Sequence, residues 1–280
     1  MRTTRAWLIL TIVAGMALGF GCVKIREQGF LKRAAELYNA QKYEEAIAQY
    51  DEVLKLDPKH WDANYRRATA YLALYHPGSE HAKDKEYAAK GIAAFEQTLA
   101  LTPPNAETLE KTEKFYLSFL DSAGEKDKAI AYLEQTLAKR PNDLALINQI
   151  ATLYQKKGDF PHALEYFKKR AEMDSTNKEA WYTLGVNCWA RSYHGGLAVS
   201  QEEREQVVDL GVQALEKALS IDPNYFDALS YINLIYREKA KALASVGKNA
   251  EAGQAIAKAD EYQKRAIDIR KAQQAKPKAT

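Results

Sequence analysis

The feature that most constrains this chain is that it repeats itself. The series Ala34, Leu37, Tyr43, Ala46, Tyr50 returns in kind, at the same spacings, as Ala151, Tyr154, Phe160, Ala163, Phe167. Intervals of three and four place such residues on one face of a helix. Small residues such as Ala34 and Ala151 let two helices approach closely, and large ones such as Tyr50 and Phe167 fill the space beside them. Asp57-Pro58, Arg140-Pro141-Asn142-Asp143 and Asp222-Pro223-Asn224 close successive hairpins. Proline cannot continue a preceding helix but suits the start of the next. No stretch reads convincingly as a strand, so the expectation is an all-α chain of repeated helical hairpins.

These residues resemble the tetratricopeptide-repeat (TPR) family, built from 34-residue helix–turn–helix units. The resemblance implies an α–α superhelical solenoid of about six hairpins, at 27–60, 61–105, 106–143, 144–177, 178–225 and 226–265. The second and fifth units are longer than the family's 34 residues. Their extra residues are expected between the two helices, at Tyr75-His76-Pro77-Gly78 and Tyr193-His194-Gly195-Gly196, each followed by a polar approach (80–90 and 200–209) before the second helix. Where Ala46, Ala129 and Ala163 stand in other units, these two have Gly91 and Gly211. A glycine inside a helix costs about 0.5–1 kcal/mol relative to alanine. Its use twice at one matched position predicts a very close helix contact, intolerant of leucine at 91. A polar second helix from Ala250 to about Gln274 suits the cap that ends a solenoid. The domain reading is 1–22, then a solenoid over 23–265, then the end of the capping helix and a tail over 266–280.

The first twenty-two residues stand apart. Arg2 and Arg5 precede an apolar run from Trp7 to Phe20, then Gly21 and Cys22. A bilayer-spanning helix needs about 20 apolar residues and a secretory h-region about 7–15, so this run predicts an export signal. An uncleaved inner-membrane anchor is the alternative. Leu18-Gly19-Phe20-Gly21-Cys22 resembles a bacterial lipobox, although Gly19 stands where an aliphatic is expected and Phe20 is bulky for its place. The resemblance implies cleavage before Cys22 and lipidation of Cys22. Ordinary signal cleavage after Gly19 is the rival. Three acyl chains would hold the protein lastingly where a single one holds only marginally. The expected location is the bacterial cell envelope, at the outer membrane facing the periplasm.

Charge narrows the partners. Lys+Arg 40 against Asp+Glu 37 gives +3, and setting aside Arg2 and Arg5 leaves 38 against 37. A near-neutral chain has no field for gripping phosphates, so nucleic acid is not an expected partner. Cys188 is the only other cysteine. It falls among Trp181, Leu184 and Trp189 at an inward helical position, where cysteine acts as a small hydrophobe.

Little predicts catalysis. His60, His76, His81, His162 and His194 form no metal-ligand pair, and no phosphate loop, nucleophile elbow or paired carboxylates appear. No metal and no cofactor are expected. The TPR resemblance implies that the first helix of each unit lines an inner surface for partner proteins or peptides. By position this surface takes Tyr65, Arg66 and Thr69 from unit two, and Asn148, Gln149 and Thr152 from unit four. Units five and six add Tyr182, Trp189, Tyr231 and Arg237. Aromatics and arginine dominate interface energies. Leu31 and Ala35 occupy the places where chaperone-binding relatives carry a carboxylate clamp, so a mixed aromatic–polar groove is expected instead. The expectation is a membrane-anchored, non-catalytic scaffold. Two rivals are a metal-binding or enzymatic protein using His76, His81 and His194, and a self-associating structural element.

Overall fold

The computed structural model describes residues 23–274. Cys22 and the segment before it, and the tail from Ala275, lie outside the described residues. Twelve α-helices and no strand are present among the described residues, and the fold is all-α. Helix α1 covers 23–39. The others are α2 (Tyr43–Leu56), α3 (Trp61–Leu74), α4 (Ala82–Leu99), α5 (Ala106–Ser122), α6 (Lys126–Lys139), α7 (Leu144–Lys157), α8 (Phe160–Met173), α9 (Lys178–His194), α10 (Gln201–Ile221), α11 (Phe226–Ser245) and α12 (Asn249–Gln274). In chain order they fall two to each of the six places the repeats predict. The chain divides into two compact units, one ending at Ala129 and the other beginning at Ile130.

Within each unit the hairpins stack as in an α–α solenoid. In the first, α3 packs on α2 and α4 and touches α5; in the second, α9 packs on α8, α10 and α11. Contact between the first helices of successive hairpins, α9 with α11, makes the stack continuous rather than a row of isolated pairs. Polar caps start the helices. Asn105 accepts from Thr108 N–H, Asp143 from Ala145 and Leu146 N–H, Asn177 from Glu179 N–H, and Ser200 from Glu203 N–H. The four tight hairpins reverse through a residue at positive φ: Gln41, Gly124, Gly158 and Gly247. Glycine takes that conformation without strain.

The long units differ from the sequence expectation in where their extra residues go. The connections are short, 75–81 and 195–200, and the polar stretches after them are helix. α4 starts at Ala82 and runs 18 residues, and α10 starts at Gln201 and runs 21, against 14 for α2, α6 and α8. Ion pairing supports those added turns, for example Glu86 with Lys90 at 2.6 Å and Arg191 with Glu203 at 2.8 Å.

Both predicted glycines sit at close approaches. A Cβ on Gly91 would lie 2.3 Å from Phe119 Cε1 and 2.8 Å from Tyr71 Cβ, so α3, α4 and α5 converge there. A Cβ on Gly211 would lie 2.8 Å from both Cys188 Cβ and Ile235 Cδ1, where α9, α10 and α11 converge. Cys188 is fully buried, and burial pushes its thiol up to about 12, which leaves it inert as a nucleophile. The final helix, α12, buries Ala252, Ala255, Ala259 and Ala266, partly buries Tyr262, Arg265 and Ile269, and exposes its remaining residues, as a cap should.

Candidate functional site

The second unit carries a continuous aromatic face. Tyr182 and Trp189 lie seven residues apart on α9 and so share a side of it. Tyr231 of α11 meets both edge-on, at 5.7 Å from Tyr182 and 5.3 Å from Trp189. Tyr225, just before α11, extends the strip at 5.2 Å from Tyr182, and Tyr193 extends it the other way, stacked on Trp189 at 5.1 Å and 16°. His194 closes that end against both Trp189 and Tyr193. Edge-to-face and offset pairs at 4.5–7 Å are the favourable aromatic geometries, so the strip holds its own shape. Tyr225 is fixed further, its hydroxyl donating to Glu179 at 2.6 Å while Lys178 Nζ sits 4.5 Å over its ring.

Uncharged polar groups lie on α7, the first helix of the preceding hairpin. Thr152 donates to the Asn148 carbonyl at 2.9 Å, and Gln155 Nε2 donates to Asn187 Oδ1 at 2.5 Å, linking α7 to α9. Gln149 is exposed. A strip of rings ending in phenol hydroxyls suits a polypeptide, which offers apolar side chains and backbone polar groups together.

Of the residues expected at the site, Tyr182, Trp189 and Tyr231 come together directly, and Asn148 and Thr152 lie on the neighbouring first helix α7. Arg237 turns to α12, donating to Asp260 and Gln263 at 2.8 Å each. In the first unit Tyr65, Arg66 and Thr69 form a separate patch. Tyr65 stacks on Trp61 at 5.0 Å, Arg66 Nε holds both oxygens of Asp62, and Thr69 Oγ1 accepts from Tyr38 at 3.3 Å. Tyr193 and Tyr225 were not anticipated. Their signal was the repeat itself, because Tyr193 lies in the last turn of α9 and Tyr225 just before α11, helices whose other aromatics already face the site.

A second recurring device escaped sequence reading. The eleventh residue of α5, α7 and α11 is Tyr116, Tyr154 and Tyr236, and each donates to a glutamate twenty residues earlier on the preceding helix. The acceptors are Glu96 at 3.0 Å, Glu134 at 2.9 Å and Glu216 at 2.8 Å. Glu134 also accepts from Tyr166 at 2.9 Å. Each bond ties the first helix of one hairpin to the second helix of the hairpin before it.

These tyrosines carry a pH consequence. Burial first, then the bond to Glu134, pushes Tyr154 up to about 12, and burial pushes Tyr182 up to about 12. Tyr166, Tyr225 and Tyr236 are raised further, again by burial and then by a glutamate partner. A raised phenol pKa contributes its full stability below the unfolded value of about 10 and loses it as pH climbs toward the folded value, because the unfolded chain sheds the proton first. The thermal midpoint is therefore expected to hold steady up to about pH 9 and to fall steeply from about pH 10 to 12. A midpoint flat across that window would contradict the bonded phenols.

Among the described residues, no group of three or more His, Cys, Asp or Glu is placed to share a metal ion, and no helix is long and apolar enough to cross a membrane. His76 Nδ1 lies 2.9 Å from buried Asp84, which Ser79 also reaches at 2.6 Å, so this histidine helps hold the 75–81 connection against α4.

Sequence profiles described as TPR repeat and tetratricopeptide repeat match residues 33–74 and 145–179. Among curated proteins, the general transcriptional corepressor trfA of Dictyostelium discoideum is 37% identical over 67 residues, 24% of this chain. The BBSome complex member BBS4 homolog of Drosophila melanogaster is 24% identical over 171 residues, 61% of this chain. The chain spans 5% and 31% of the length of these two relatives. Among solved structures, YrrB, a TPR protein with an unusual peptide-binding site, is 23% identical at a TM-score of 0.38, covering 72% of this chain and 89% of that one. MamA is 14% identical at 0.35, covering 91% and 97%. Each of the two units thus carries a stretch that matches a tetratricopeptide-repeat profile.

Proposed function

We propose that this protein is a non-catalytic scaffold of the bacterial cell envelope, lipid-anchored through Cys22, which docks segments of partner proteins on its helical repeats. The observation that carries the docking role is the strip Tyr225–Tyr182–Tyr231–Trp189–Tyr193, five half-buried or exposed rings in a continuous chain of contacts. A strip already ordered by its own ring contacts loses little side-chain entropy on binding. Rigid aromatics on such a surface supply most of an interface's energy. Anchorage rests on the apolar run and the lipobox-like Leu18–Cys22 segment, and it raises the local concentration of partners held at the same membrane.

The test is capture of envelope proteins by the full chain and by a Tyr182→Ala/Trp189→Ala/Tyr231→Ala variant. The helical signal of the variant is checked first by circular dichroism. Loss of these rings is expected to cut partner recovery at least about tenfold. A folded variant that retrieves the same proteins in the same amounts would show that the strip is not the docking surface. A Cys22→Ser chain is expected to leave the membrane fraction, and its retention there would contradict lipid anchorage.

A further inference from the structure

Helix α1 lacks on one side what α3 has. At the repeat interval of 34 residues, Gly29 stands in the place of Ala63 and Arg33 in the place of Arg67. Ala63 is fully buried in a cluster to which α2 supplies Ala46, Tyr50 and Val53, and Arg67 donates to Asp51 of α2 at 2.9 Å. At Gly29 nothing lies within 4 Å of where a Cβ would be, and Arg33 is exposed. The face that a preceding helix covers on α3 is bare on α1 among the described residues.

That face has a definite composition. Lys24, Ile25, Gln28, Gly29, Lys32 and Arg33 recur along it at helical spacing, and all six are exposed. Arg26, also exposed, borders them. The side chains of Lys24, Arg26, Lys32 and Arg33 have no ion pair or hydrogen bond among the described residues. Of the two acids on α1, Glu27 faces His60 Nε2 at 3.5 Å, and Glu36 lies exposed toward the far end of the helix. Ile25, in the midst of the cations, is 72% exposed. Four unpaired cations around an exposed aliphatic side chain match the chemistry of a lipid interface, where the aliphatic enters the headgroup layer and long cationic side chains reach the phosphates.

We infer that this face of α1 lies on a membrane surface bearing anionic phospholipid headgroups, with Ile25 in the headgroup layer and Lys24, Arg26, Lys32 and Arg33 over the phosphates. The inference rests on anchorage through Cys22, which directly precedes the helix. A rise of about 1.5 Å per residue puts Lys24, Ile25 and Arg26 within about 6 Å of the anchored residue along the axis. Cations so placed feel an anionic surface, whose pull fades beyond about 10 Å at 0.1 M salt. The lipid retains the chain at the membrane, and the cations fix which side of α1 meets it.

The test uses the full chain, purified from membranes and reconstituted into vesicles of phosphatidylcholine alone or of phosphatidylcholine with phosphatidylglycerol. With Cys22 acylated and Cys188 buried, a Gly29→Cys chain presents one reactive thiol for a polarity-sensitive dye. Quenching of the dye by aqueous acrylamide is expected to fall at least threefold in the anionic vesicles relative to the neutral ones, and to recover in high salt. A Lys24→Gln/Arg26→Gln/Lys32→Gln/Arg33→Gln chain, which breaks no internal bond, is expected to stay with the vesicles and lose that protection. A dye on exposed Ala48→Cys of α2 is expected to be quenched equally in both vesicles. Intact mass reports the acyl chains on Cys22 separately. A chain without them would lose the anchor and this pose together. An acylated chain whose residue 29 is quenched alike in both vesicles, or stays protected after the four substitutions, would overturn the pose and leave the anchor standing.

Discussion

Gly91→Leu is expected to unfold the N-terminal unit, and Gly91→Ala, usually a stabilising change in a helix, is expected to destabilise it. Alanine for glycine in a helix interior gains about 1 kcal/mol from backbone entropy. Against this, the new methyl would overlap the Phe119 ring at 2.3 Å and Tyr71 Cβ at 2.8 Å. Phe119 has nowhere to go: it is fully buried, edge-on to Phe95 at 6.1 Å and tilted against Tyr75 at 5.4 Å. Overpacking a closed core costs about 1–3 kcal/mol per modest insertion. An overlap as deep as 2.3 Å puts the cost in the upper part of that range, so alanine is expected to lose about 1–2 kcal/mol net, and leucine, with three more carbons than alanine, should lose more than about 4 kcal/mol. Urea unfolding followed by circular dichroism measures both. A Gly91→Ala protein as stable as the wild type would show that α3, α4 and α5 do not meet as closely as described.

Glu134→Ala should be the most costly polar truncation in the C-terminal unit. One carboxylate oxygen accepts from two tyrosines, Tyr154 of α7 and Tyr166 of α8, at 2.9 Å each, and the two rings stack at 5.7 Å. Hydrogen bonds to a charged acceptor contribute about 1.5–3 kcal/mol, and removing the acceptor strands both hydroxyls in partly buried surroundings. A loss of about 2–3 kcal/mol is expected for alanine and about 1 kcal/mol for Glu134→Gln, which keeps an acceptor oxygen. Tyr154→Phe and Tyr166→Phe combined with Glu134→Ala form double-mutant cycles that isolate each bond. If the losses simply add, the three groups do not act as the junction described.

The hairpin plan was legible because it is written in apolar spacing and proline-bearing turns, and those reflect burial directly. All six predicted places hold two helices each, down to the break at Asp57-Pro58 between α2 and α3. The two added stretches were misjudged as approaches to a helix rather than helix. The start of α4 has almost no apolar stripe: from Ala82 to Lys90, Tyr87 and the alanines are its only apolar residues, and Lys83 bonds Glu44 of α2. Its order comes from ion pairs and tertiary contact, which hydrophobic periodicity does not register. The aromatic strip was partly visible for the opposite reason. Tyr182, Trp189 and Tyr231 follow from the repeat register alone, while Arg237 depends on Asp260 and Gln263 of α12, and no local pattern announces that contact. The tyrosine–glutamate bonds were missed because their interval of twenty matches no single-element period and emerges only when two hairpins are seen side by side.

That interval has a further meaning for how such a chain can lengthen. In the 106–143 stretch Tyr116 supplies a donor and Glu134 an acceptor, so one hairpin holds both halves of the fastening. A gene duplication that copies one hairpin therefore inserts a ready-made clasp on each side, and the ancestral neighbours need no new chemistry to receive it. Where the clasp has lapsed, at Cys188 in the eleventh place of α9, close packing against Gly211 occupies the seam instead. The array can thus grow by whole modules while individual modules drift toward private uses.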